Sequence, residues 1–135
     1  MVIAVVFQAL LWIWFLGCVF SWRFGKVLLV EGVGFKSMEF IVLCVYTAGI
    51  AAFHLFPPAG KWILLGILAL WFIGQFRFHW YYTIFGASER KLNGYNECFK
   101  GTVRLFPVSE TRLVPDFYHI MLHLLILVNI VLCLV

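Results

Sequence analysis

Asp116, His119 and His123 stand three and four residues apart in the stretch PDFYHIMLH, the spacing that puts side chains on one face of a helix. Such a face offers three kinds of chemistry. Histidine titrates near neutral pH, so His119 and His123 are candidate general acids or bases. Imidazole and carboxylate together suit zinc or iron, which makes His79, His119, His123 and Asp116 candidate metal ligands. Two facing imidazoles, such as His79 and His123, could hold a haem axially, and without a C-x-x-C-H that haem would be non-covalent. The pattern H-x-x-x-H lacks the glutamate of H-E-x-x-H and so carries no hydrolytic zinc signature. The residues single out no particular cofactor.

A second set could hold a ligand. The planar guanidinium of Arg77 suits a phosphate or carboxylate, with Tyr81 and Tyr82 beside it. At about 100° per residue, Gln75, His79 and Tyr82 share one helical face, and Arg77 and Tyr81 share another. Glu39 and Tyr46 line one face of an earlier run. Gln75, Arg77, Tyr81, Tyr82 and Glu39 are therefore the candidate ligand-binding residues.

The elements that must position these groups follow from composition. The chain is 64% hydrophobic and 12% charged, with a mean hydropathy of +1.03. Soluble domains have roughly 45–50% apolar and about 25% charged residues, so the solvent here is lipid. Lipid offers the backbone no hydrogen-bond partner, and the apolar runs are continuous rather than alternating, so they predict helices. Four runs approach the roughly 20 residues that cross a bilayer: 2–22, 38–56, 62–84 and 117–135. The first has no basic n-region and no A-x-A-like cleavage site, and is read as a span rather than a signal peptide. The expected fold is an all-α integral membrane protein, a bundle of four transmembrane helices in one domain covering 1–135.

Charge sets the orientation. The first connection, 23–37, carries Arg23, Lys26 and Lys36, and the third, 85–116, carries Arg90, Lys91, Lys100, Arg104 and Arg112. The second carries only Lys61. The positive-inside rule places the first and third connections in the cytoplasm and both termini on the other side. The same rule accounts for the net charge of +4, which leaves nucleic acid no part to play. The partners expected are membrane lipids and the anionic cytoplasmic leaflet. Cys18, Cys44 and Cys133 fall within spans and Cys98 in a reducing compartment, so no disulfide is expected.

Within the third connection, Leu92, Tyr95, Phe99, Val103 and Phe106 recur at helical steps and predict an amphipathic helix on the membrane surface, ended by Pro107. Gly94 and Gly101 weaken that prediction. Pro115 precedes the fourth span, and Asp116 suits its positive end.

A helix rises about 1.5 Å per residue, so His79 lies roughly 27 Å along from Lys61, and His119 roughly 24 Å from residue 135. Glu39, Arg77, His79, Asp116 and His119 then share one layer at the cytoplasmic edge, with Gln75 and His123 about a turn deeper. Polar groups in a span turn inward, because facing lipid is costly. They also sit comfortably at an interface with no ligand at all.

The layout of four short spans with basic cytoplasmic connections is similar, in architecture, to the small membrane-associated glutathione and eicosanoid enzymes. Those enzymes carry R-x-x-N-x-x-E entering the second span. Here VGFKSMEF supplies Lys36 and Glu39 but neither the arginine nor the asparagine, and no residue role is transferred. The function expected is the binding or modification of an amphiphilic, anionic ligand in a polar cytoplasmic pocket. The competing expectations are a non-catalytic subunit of a membrane complex or homo-oligomer, with Trp12, Trp14 and Trp71 at helix contacts, and a metal- or haem-binding membrane protein.

Overall fold

A backbone surrounded by Leu, Ile, Val and Phe closes its hydrogen bonds within itself. The computed structural model, which describes residues 2–135, is accordingly mostly helical. The first helix, α1, is Val2–Leu16, and α2 is Met38–Leu55. A continuous helix of 27 residues, Ala59–Phe85, comes next. It comprises α3 (Ala59–Gln75), one π-helical turn (Phe76–Trp80) and α4 (Tyr81–Phe85). After it come α5 (Glu89–Cys98) and α6 (Phe117–Leu134). Among the described residues three helices are long and apolar enough to cross a membrane: Met38–Leu55, Ala59–Phe85 and Phe117–Leu134.

Local signals set the ends of two of them. The Ser37 hydroxyl accepts from the Phe40 N–H at 3.2 Å and starts α2. Asp116 accepts from the His119 N–H at 3.0 Å and starts α6 straight after Pro115.

The first apolar run departs from expectation. Its helix stops at Leu16, short of residue 22, and has 15 residues. Gly17 is the reason the chain can turn there. A Cβ at Gly17 would stand 2.8 Å from Val30 Cγ1 and 3.0 Å from the Tyr118 hydroxyl, so only glycine fits between α6 and the segment after the turn. The rest of the run bends back, and Trp22–Phe24 (β1) pairs antiparallel with Val27–Val30 (β2). Gly25, at φ 61°, makes the tight connection between them. Hydropathy measures transfer to lipid rather than conformation, and so it did not reveal this hairpin in an otherwise helical chain.

The helix of the third connection also differs from expectation. It ends at Cys98, well before Pro107, and the chain turns through Gly101 at φ 83°. Val103 and Phe106 are therefore not on it. Thr102 instead bridges to Leu28 of β2, and Val103 O accepts from Phe117 N at 2.8 Å. These bonds tie the connection to the hairpin and to the start of α6.

In the packing, α2 lies on α3, α3 on α6, α6 on α1 and α1 on α2. The core is Leu11, Phe15, Tyr46, Leu68, Trp71 and Leu122 with their neighbours. Two contacts set the spacing. At the Pro57–Pro58 turn, α2 and α3 touch backbone to backbone. A Cβ on Gly60 would stand 1.9 Å from Ala52 O, and one on Gly49 would stand 2.7 Å from Ile67 Cδ1. Farther along the pair, bulky rings separate the helices: Trp71 lies 5.5 Å from Tyr46 and 4.4 Å from Phe15, centroid to centroid. At the other joint, the Trp14 indole stacks on Tyr118 at 5.2 Å and donates to Tyr118 O at 3.2 Å, while the Tyr118 hydroxyl donates to Trp14 O.

Gly60→Ala should destabilise the fold by about 3 kcal/mol or more, since backbone cannot yield to the added methyl. Gly66→Ala, on the same helix with nothing within 4 Å of its added Cβ, should be neutral or stabilising by about 1 kcal/mol. Thermal unfolding of the two variants in detergent reads the difference.

Candidate functional site

Because α2 and α3 are closest at the Pro57–Pro58 turn, the space between them lies at their other ends. There a groove of about 1300 Å³ runs between the helices and under α5. Its long wall is apolar, formed by residues such as Ile41, Val45, Ile67, Leu70 and Phe78. Ile41, Leu70 and Phe78 are more than half exposed, so this wall is open sideways. Trp71 and Phe15 form the floor. Toward α5 the lining becomes polar, with Glu39, Gln75, His79, Tyr95 and His119. Glu31, Lys91 and Glu97 also line this end.

Two imidazoles dominate the polar end. Asp116 is fully buried, and its Oδ1 lies 2.6 Å from His119 Nδ1. The same oxygen caps α6. A carboxylate accepts, so His119 Nδ1 carries a proton and its Nε2 is left as the second ring nitrogen. His79 Nδ1 lies 2.6 Å from the Tyr95 hydroxyl. Burial, reinforced by the charge on Asp116, pushes the Tyr95 phenol well above its ordinary pKa, so it keeps its proton. Among the described residues Tyr95 O–H has no other acceptor, and a donation to His79 Nδ1 places the His79 proton on Nε2. The His79 and His119 rings are stacked 4.1 Å apart, 23° from parallel. The Phe99 ring packs against both. Each imidazole is 7% exposed and lines the groove.

The π-helical turn helps create this arrangement. Tyr81 N–H bonds to Phe76 O, five residues back, which widens the helix by one residue. His79 is thereby buried facing α5 and α6. The turn also rotates the residues of α4. Tyr82 does not share the groove face of Gln75 and His79, as straight helical spacing implied. It joins Arg77, whose guanidinium sits 4.8 Å from the Tyr81 ring centre and 4.9 Å from that of Tyr82. Lys91 approaches Tyr82 to 4.0 Å and connects this cluster to the groove lining.

The predicted site residues thus fall into three places. His79, His119, Asp116, Gln75 and Glu39 are in or at the groove. Arg77, Tyr81 and Tyr82 form a cation–aromatic cluster beside it. His123 packs against Phe72 at 4.2 Å and Trp80 at 5.8 Å, with its Nδ1 buried and unpartnered. Among the described residues no group of three or more His, Cys, Asp and Glu is placed to hold a metal ion. The expected metal set of His79, His119, His123 and Asp116 is not assembled: Asp116 Oδ1 is bonded to His119, and the His123 ring packs against Phe72 and Trp80. His79, the other member of the expected haem pair, stacks on His119.

Sequence reasoning missed several polar contacts. Tyr95 belongs to an apolar stripe by its spacing, yet its hydroxyl sets the His79 tautomer. His54 Nε2 donates to Gln8 Oε1 at 2.9 Å, and Asn129 Nδ2 donates to Phe7 O at 3.0 Å. Gln8 and Asn129 are single amides in apolar runs, and that rarity was the available signal.

Compared with known proteins, the chain matches no family model, no curated protein and no solved structure.

Nitrogen-15 NMR of histidine-labelled protein should find His119 as the Nδ1–H tautomer and His79 as the Nε2–H tautomer. Asp116→Asn should remove the Nδ1–H preference of His119 and leave His79 unchanged. Tyr95→Phe should do the converse.

Proposed function

We propose that this chain is a four-span integral membrane protein that binds a lipid-like amphiphile, its apolar chain in the groove between α2 and α3 and its head at the His79–His119 end. The observation that carries the reading is the change in groove lining along its length. An apolar, laterally open wall suits an acyl chain arriving from the bilayer, and the convergent polar groups at one end suit a head. Glu31, Glu39 and Glu97 with Lys91 give that end both signs of charge, which suits a zwitterionic head better than the anionic one expected from Arg77.

In this reading α1 is the fourth span, completed by the turn after it. Its apolar Val2, Ile3, Val6 and Ile13 face outward as the lipid-facing residues of α2 and α6 do. The surface helix is α5, which buries Leu92 and leaves Arg90 and Lys91 exposed. The basic hairpin, α5 and the polar end of the groove face the cytoplasm, and both described ends of the chain face away from it.

Native mass spectrometry of protein extracted in mild detergent should show a reproducible lipid-mass adduct. Nothing lies within 4 Å of a Cβ at Gly74, a groove-lining position, so the side chain of Gly74→Phe starts in open space and can extend into the groove. It should lower adduct retention about tenfold, a loss of about 1.4 kcal/mol, with an unchanged melting temperature. Retention equal to that of the parent protein would sink the groove assignment.

Orientation has its own test. Cys98 is exposed. A membrane-impermeant maleimide should label it in inside-out vesicles and leave it unlabelled in intact cells. Labelling from outside would reverse the topology.

A further inference from the structure

The two groove imidazoles are set in opposite hydrogen-bonding states. The His119 Nδ1–H donates to Asp116, and the neutral ring then has its lone pair at Nε2. His79 Nδ1 in turn accepts from the Tyr95 hydroxyl, which leaves an N–H at Nε2. Among the described residues, neither Nε2 has a hydrogen-bond partner. A base and a donor are therefore held side by side, on rings 4.1 Å apart, in the wall of one groove. Two structural histidines buried together would be expected to satisfy each other or the backbone. Here each uses one nitrogen for anchoring and leaves the complementary one toward the groove.

The position of the pair narrows the bond it could act on. His119 is in the first turn of α6 and His79 is near the end of a 27-residue helix, where the apolar wall gives way to charge. An amphiphile seated in this groove has the junction of chain and head at that level. In an O-acyl amphiphile this junction is a carboxylic ester.

Resting on the amphiphile reading, we infer that the protein hydrolyses a carboxylic ester at the chain–head junction of a zwitterionic amphiphile, with His119 as general base and His79 as donor to the carbonyl oxygen. His119 Nε2 takes a proton from water as the water oxygen bonds to the ester carbonyl carbon. His79 Nε2–H stabilises the negative charge that gathers on the carbonyl oxygen. The carbon–oxygen bond to the head-group alcohol then breaks, and the proton on His119 passes to the departing oxygen. The products are a fatty acid and an alcohol, and both imidazoles return to their starting states. Asp116 and Tyr95 are positioning residues, holding the two tautomers and orienting the rings.

The probe is palmitoyl lysophosphatidylcholine, with its hexadecyl ether analogue as the non-cleavable partner. The full chain in detergent or nanodiscs should bind both, read by native mass spectrometry. It should release palmitate from the ester alone, with one oxygen-18 atom per palmitate when the water is labelled. His119→Gln and His79→Gln should each lower kcat by roughly 100-fold or more, while the ether analogue, its chain still held by the apolar wall, continues to form an adduct. Asp116→Asn and Tyr95→Phe should lower kcat without changing KM, in step with the NMR tautomer of the imidazole each one holds. Binding of the ether analogue without palmitate release would overturn the hydrolase inference and leave the amphiphile reading standing. Palmitate release that survives both glutamine variants would also overturn it. Failure to bind either probe would remove both.

Discussion

The close approach of Gly60 to the backbone of Ala52 controls where everything else lies. The two helices touch backbone to backbone at one end, carry Tyr46 against Trp71 farther along, with Phe15 of α1 on the same Trp71, and leave a groove between them beyond it. The separation arises at the end opposite the Pro57–Pro58 turn, and α5 and the hairpin loop close over it. In lipid there is little hydrophobic force to pull helices together, so small residues and ring packing decide the spacing. A groove at one end results from glycines at the other.

The polar side chains obey the same economy of place. In an apolar medium an unpartnered donor or acceptor is costly, and each of the buried polar residues Gln8, His79, Asp116, His119 and Asn129 makes at least one specific bond. Asn129 reaches the backbone of α1, Tyr46 donates to Gln8 O at 3.3 Å, and His54 donates to Gln8 Oε1. These bonds join helices at the turn end. At the groove end the bonds are of another kind. Asp116 and Tyr95 each fix one nitrogen of an imidazole and leave the other toward a space large enough for a ligand. The first group holds the structure together. The second keeps two side chains in defined chemical states.

The joint between Trp14 and Tyr118 connects these two regions. It anchors the end of α1 to the start of α6, one residue from His119 and two from Asp116. The hairpin fills the corner beside Gly17, and its Leu28 receives Thr102 from the third connection. The groove cover is thus attached to the same joint that positions the histidine–carboxylate pair.

Much of the scaffold was legible in the residues alone. Uninterrupted apolar runs without water to solvate the backbone leave only helices, and Ser37, Pro115 and Asp116 mark where two of them start. The common depth of His79, Asp116 and His119 came from the rise per residue. Other features depend on contacts between distant segments. Gly17 ends α1 because Tyr118 and Val30 occupy the space beside it, which no local pattern records. The π-helical turn moves Tyr82 away from Gln75 and His79, and straight helical counting does not include that extra residue. Tyr95 pairs with His79 only because α5 folds back over the groove. The amino acids alone determined the solvent, the helices and the layer of polar groups, since these depend on local composition and a fixed rise. Only the tertiary structure decided which nitrogen of each histidine is free, because that depends on which distant oxygen packing brings within 2.6 Å.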